Sequence, residues 1–303
     1  MLENSVTLLD AGMGKSLSMR GVEIPGTIWS ANALLVAPDV VVDIHRENIA
    51  AGARIITTNS YGVIRNDLAK IGLAQRTVEL NELAANLAQK AREESGIEGV
   101  RIAGSLPPLN GSYRPDCVLD LEALLPLYTE QVAALAPSVD LFLCETMSHS
   151  TEALAAARAA SESGKPFFVA FTLDDKRTAC LKSGESLAAV CEMLQPFKPD
   201  GILANCCLPE RISEAIPILV ESGVKITGGY ANAFTEIPRD WLLAGDKEKD
   251  GSLMIREDIT PSSYADFVEK WLDLGANLVG GCCGTTAEFI EAIHERLAQR
   301  AQK

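Results

Sequence analysis

Histidine is scarce in this chain, with 3 in 303 residues. Zinc sites that activate water rest on histidine-rich ligand sets, so a metallohydrolase of that kind is the most remote reading. Basic residues are also few: 27 Lys and Arg stand against 41 Asp and Glu, for a net charge of −14. They form no stripe, so nucleic acid is not an expected partner. No apolar run approaches the roughly 18 residues of a membrane span. The opening residues MLENSVTLLDAGMG lack the basic region and long apolar stretch of a secretory signal. The expected setting is the cytoplasm, with no membrane partner. The 8 cysteines are then expected as reduced thiols or metal ligands rather than disulfides. A phosphate-binding loop is missing too, because Gly14-Lys15-Ser16 has Leu9 where that loop needs its first glycine.

What is present is an alternation of short apolar runs with amphipathic stretches. The runs read as strands at Val6–Asp10, Arg54–Thr58, Val100–Gly104, Asp140–Glu145, Pro166–Thr172, Gly201–Ala204, Val224–Thr227 and Asn277–Val279. Helices are expected at Pro38–Ala51, Asn66–Glu94 and Asp120–Leu135, in an Ala-rich stretch to Ser163, and at Glu185–Pro196, Pro209–Glu221, a stretch ending near Leu274, and Ala287–Ala298. Long loops are expected before Pro38 and from Gly228 to Thr260. Strands that are apolar on both faces argue for a parallel sheet covered by helices. Their number predicts an α/β fold of the closed (β/α)₈ TIM-barrel type, which a chain of this length fits. No linker divides the chain, so residues 1–303 read as a single domain.

The chemistry concentrates in Gly280-Gly281-Cys282-Cys283-Gly284-Thr285-Thr286. Adjacent cysteines on a regular strand point to opposite faces. Flanking them with Gly281 and Gly284 frees the backbone to turn both sulfurs one way. Two thiolates reaching for one soft metal are the expected purpose, and a third ligand is sought in Asn205-Cys206-Cys207. Three thiolates with an open fourth position mark a catalytic zinc site. A substrate thiol in that position is deprotonated at neutral pH and becomes a nucleophile. In a barrel the C-terminal strand ends share one mouth, which gathers Asp10, Thr57-Thr58-Asn59, Glu145, Cys206 and Cys282-Cys283.

The stretches LLDAGMG (8–14), GTIWSANALLVAPDVVVDIHRENIAAGARIITTNSY (26–61), DLFLCETMSHSTEA (140–153), ANCCLPE (204–210) and LVGGCCGTT (278–286) resemble the homocysteine S-methyltransferase family over nearly the whole chain. Its members are zinc-dependent (β/α)₈ barrels that move a methyl group onto homocysteine, giving methionine. The resemblance implies Zn²⁺ on Cys206, Cys282 and Cys283, Glu145 on the substrate ammonium, and Asp10 beside the amino acid. Trp29 and Ser30 fall on a loop similar to the donor-side pocket, and Thr58 and Asn59 are taken with the substrate-binding set. Homocysteine and a small methyl donor are the implied partners; a homo-oligomer is left open.

Three positions depart from the family pattern. Ala11-Gly12 replaces a Gly-Gly pair, Ala231 stands where relatives often carry Pro, and Thr146 follows Glu145 where betaine-using relatives carry an aromatic residue. The last change weakens a quaternary-ammonium cage and favours a sulfonium donor, S-methylmethionine ahead of S-adenosylmethionine and betaine. Against these stand the plainer readings. Cys144, Cys180, Cys191 and Cys207 are expected as small buried hydrophobes, Cys117 as a surface thiol, and His149 as a helix cap. A thiol-based redox or metal-buffering protein is the competing class.

Overall fold

A computed structural model describes residues 6–237 and 254–302. Its strands are β1 (Thr7–Leu8), β2 (Ile55–Thr57), β3 (Arg101–Leu106), β4 (Leu141–Met147), β5 (Phe167–Phe171), β6 (Gly201–Asn205), β7 (Ile226–Ala231) and β8 (Leu278–Gly281). They pair in parallel in the order β1-β8-β7-β6-β5-β4-β3-β2. A bridge between Leu9 and Ile55 joins the two ends, with Asp10 N–H donating to the Ile55 carbonyl at 3.0 Å and Arg54 N–H to that of Leu8 at 2.8 Å. The sheet therefore closes into the (β/α)₈ barrel that the alternation of runs predicts.

The strands are apolar on both sides because both sides are covered. Leu141, Leu143, Phe168, Leu203 and Leu278 point inward and fill the barrel. Their neighbours Phe142, Val169, Ile202 and Val279 point outward beneath the helices. This is period-2 alternation with no polar face. The covering helices are α1 (Met13–Met19), α2 (Asn32–Val36), α3 (Pro38–Ala50), α4 (Arg65–Lys70), α5 (Thr77–Ser95), α6 (Leu121–Leu135), α7 (Ser150–Glu162), α8 (Leu187–Leu194), α9 (Pro209–Glu221), α10 (Pro261–Asp273) and α11 (Ala287–Arg300). His149 caps α7 as expected, accepting from Thr151 N–H at 3.1 Å, while Glu152 reaches back to His149 N–H. Among the described residues no helix is long and apolar enough to cross a membrane.

Three expectations are corrected. The loop before Pro38 contains α1, α2 and a 3₁₀ turn at Trp29–Ala31, pieces too short to show a helical period. The helix expected from Asn66 to Glu94 is broken between α4 and α5, where Gly72 sits at φ +76°, a conformation that ends a helix. β7 runs on through Gly228-Gly229-Tyr230-Ala231, whose glycines are poor strand formers taken individually. The long loop therefore starts only at Asn232, and its residues 238–253 lie outside the described residues.

Candidate metal centre

β7 lies between β6 and β8. The register pairs Asn205 with Tyr230 and Tyr230 with Gly280, so the chain leaves β6 and β8 at one height. Cys206 N–H donates to the Tyr230 carbonyl at 3.1 Å and Cys282 N–H to that of Ala231 at 2.9 Å. Strands two places apart are separated by about 9.5 Å, so sulfurs from β6 and β8 meet only if both chains bend towards the axis. Cys206 does so at φ +51°, and Gly284, of the two flanking glycines, turns the other chain at φ +81°. The Sγ atoms of Cys206, Cys282 and Cys283 lie within 4.8 Å of one another, with Cys206 and Cys283 3.6 Å apart. A tetrahedral zinc with Zn–S near 2.3 Å sets its sulfurs about 3.8 Å apart. The donor set therefore suits a soft metal, and all eight cysteines are free thiols.

Cys207, next in sequence, is fully buried in the layer beneath the helices with Cys144 and Cys191, and burial raises all three thiols. Cys180, expected to be buried, is half-exposed. Inside the cluster, hydrogen bonds from Cys282 and Cys283 hold Cys206 well below the thiol range. Contact with Cys206 raises Cys282 and Cys283 in turn. Three sulfurs so close share their negative charge poorly without a cation. The Tyr113 hydroxyl lies 2.9 Å from Cys206 Sγ and is a neighbour that nothing local in the sequence signals.

Two carboxyls lie in the same mouth. Glu145 receives Ser105 Oγ–H at 2.6 Å and Tyr230 O–H at 3.2 Å. Asp10 receives Thr57 N–H at 2.7 Å and Thr57 Oγ1–H at 3.1 Å. Burial lifts each to about 7, more than the hydrogen bonds offset. Neither carboxyl has a basic side chain as an ion-pair partner among the described residues. A buried pair of acids lacking a cation suits the ammonium group of an amino acid.

The raised Glu145 value has a consequence for stability. Its protonated form is favoured by folding, so the folded chain loses stability as pH rises from the unfolded carboxyl range through about 7. Glu145→Gln is therefore expected to stabilise the metal-free protein at pH 8 by about 3 kcal/mol and to leave it unchanged near pH 4. Urea unfolding at the two pH values measures this; equal stability at pH 8 would contradict it.

The remaining predicted residues lie in the segments that follow β1 and β2, with Ser30, Thr58 and Asn59 buried. Trp29 is half-buried at φ +49°, and Ser30 accepts from Asn59 Nδ2 through its carbonyl at 2.9 Å. Asn59 keeps a buried Oδ1 without a partner. Thr58 Oγ1 accepts from Ser105 N–H at 3.0 Å and pairs with Ser60 Oγ at 2.8 Å, tying β2 to the strand that carries Ser105. The Ala11-Gly12 departure follows from space. A Cβ on Gly12 would lie 2.4 Å from the Cys282 carbonyl oxygen, whereas Ala11 is accommodated and donates its N–H to Asn48 Oδ1 at 2.9 Å. Only the second position needs glycine. Gly12→Ala is expected to weaken metal binding about tenfold or more, from overpacking of some 1–3 kcal/mol, and Ala11→Gly to leave it unchanged; titration against a chromophoric chelator distinguishes the two.

Fold and site together define a (β/α)₈ barrel with a three-thiol cluster placed to hold a metal ion and two buried carboxyls at its mouth. Residues 7–297 match the family model described as homocysteine S-methyltransferase, and the chain belongs to that family. It is 29% identical to the homocysteine S-methyltransferase of Escherichia coli (strain K12), over 97% of this chain and 96% of that one. It is 28% identical to a selenocysteine methyltransferase of Astragalus bisulcatus, over 96% and 92%. The metallated form of the E. coli homocysteine methyltransferase MmuM superposes with a TM-score of 0.80 at 26% identity, over 97% of both chains.

Proposed function

We propose that this chain transfers a methyl group from a small onium donor, S-methylmethionine foremost, to the thiol of homocysteine, forming methionine, with zinc held by Cys206, Cys282 and Cys283. The observation that carries the reading is the gathering of three sulfurs within 4.8 Å beside two buried carboxyls that have no basic ion-pair partner among the described residues. A thiol substrate with an ammonium group satisfies both halves. Glu145, oriented by Ser105 and Tyr230, takes the ammonium, and Asp10 adds charge on the β1 side. Cys206, Cys282 and Cys283 would hold the zinc, which would supply the Lewis acidity that keeps a substrate thiol deprotonated near neutral pH.

The reaction balances without a further reagent. The homocysteine sulfur forms its bond to the methyl carbon as the donor's sulfonium–carbon bond breaks; the leaving group departs as a neutral thioether and the thiol proton goes to solvent. Holding both partners in one mouth supplies much of the acceleration. Trp29 offers a π face to a sulfonium, worth on the order of 0.5–2 kcal/mol, and Thr146 in place of an aromatic residue weakens a cage for betaine. A competition assay with S-methylmethionine, S-adenosylmethionine and betaine at equal concentration is expected to give methionine fastest from S-methylmethionine. Faster turnover with betaine would overturn the donor assignment, and no methionine from any donor would overturn the reaction.

A further inference from the structure

Two residues at the mouth hold backbone conformations that their side chains disfavour, and one side chain joins them. Thr146, directly after Glu145, sits at φ +63°, where β-branched residues are outliers. The register between β4 and β5 shifts at this place, between Cys144 and Met147, as at a bulge that re-aims a side chain. Asn205, directly before Cys206, accepts Thr146 N–H on Oδ1 at 2.9 Å and donates from Nδ2 to Thr146 Oγ1 at 3.0 Å. Both side chains are buried, and the bond pair reaches from β6 to β4 past β5, which lies between them. Strained conformations of this kind persist where the surroundings over-determine them, and here Asn205 does so at the N–H and the Oγ1 of Thr146.

Resting on the proposed methyl transfer, we propose that Asn205 is a positioning residue that locks the Cys206 turn to the Glu145 bulge, so that metal binding and amino-acid binding favour each other. When Cys206 is held by a metal, Asn205 is fixed, Thr146 is fixed with it, and the Glu145 carboxylate is presented to an ammonium group. The coupling is reciprocal: an amino acid on Glu145 tightens the metal by the same factor.

The test uses norleucine, an α-amino acid without sulfur, which engages the ammonium site and not the metal. Calorimetry on wild-type protein is expected to show norleucine binding at least about fivefold tighter with zinc than without. Chelator competition should show zinc binding tighter by the same factor in saturating norleucine. Asn205→Ala is expected to reduce both factors to about one and to weaken norleucine about tenfold. Adding Thr146→Gly, which takes a positive φ freely, should restore norleucine affinity to within about threefold while the coupling stays absent. Should the single variant fail to fold, the double variant alone decides by the same criteria. Coupling that persists in either variant overturns the proposal, as does norleucine that fails to bind wild type or is not rescued by Thr146→Gly. These are binding equilibria read without turnover, so their failure is separate from a failure to transfer methyl groups.

Discussion

Cys282→Ala protein is expected to purify without its equivalent of zinc and to form methionine at about a thousandth of the wild-type rate or less. Cys206, Cys282 and Cys283 are the one His/Cys/Asp/Glu group among the described residues placed to share a metal ion, and two sulfurs make too few ligands to retain zinc. A free substrate thiol with a pKa near 8.5 is only about 3% thiolate at pH 7, a loss of roughly 30-fold. Loss of the fixed point that aligns sulfur with methyl carbon accounts for the remainder. Elemental analysis of the purified variant beside a methionine assay measures both quantities. A variant that keeps one zinc and near-normal turnover would remove Cys282 from the centre.

Glu145→Gln should leave the zinc content at one while raising the homocysteine KM between about 10-fold and 150-fold. A hydrogen bond to a charged partner is worth roughly 1.5–3 kcal/mol, which converts to that range. The carboxylate must be ionised to hold an ammonium, and burial has moved its titration to about 7. Homocysteine KM in the wild type is therefore expected to climb as pH falls below about 7 and to flatten above it, and the Gln variant should lose that dependence. A KM that does not move on substitution would take Glu145 out of the substrate site.

Which parts of this could be read in the chain follows from where the determining interactions lie. The barrel was legible because strands buried on both faces carry unbroken apolar runs such as Leu141-Phe142-Leu143. The break at Gly72 was masked by amphipathic stretches on both sides, and the end of β7 by glycines that the barrel tolerates at close contacts. In the site, Cys282 and Cys283 stand out because adjacent thiols flanked by glycine serve few purposes besides holding a soft metal. The barrel argument brings Glu145 and Asp10 to the mouth, but their roles come only through resemblance, since a carboxylate at a strand end looks ordinary. Ser105, Tyr230, Tyr113 and Asn205 were out of reach, because their meaning is a partner far away: Tyr113 meets a sulfur 93 positions on, and Asn205 meets Thr146 59 positions back. Thr57, the partner of Asp10, is among the residues expected at the mouth but not among those expected to bind substrate.

The placement of the sulfurs on β6 and β8 has a meaning for how the chain is made. The two contributing segments are 77 residues apart, and the second belongs to the last strand of the barrel. A growing chain that has finished seven strands owns one sulfur of the three and can hold nothing. Only when β8 slots between β7 and β1 do Cys282 and Cys283 arrive, and Gly12 then closes against the carbonyl of Cys282. Metal uptake on all three sulfurs would thus report that the last strand is in place: it requires β8 to have docked on β7 beside β6.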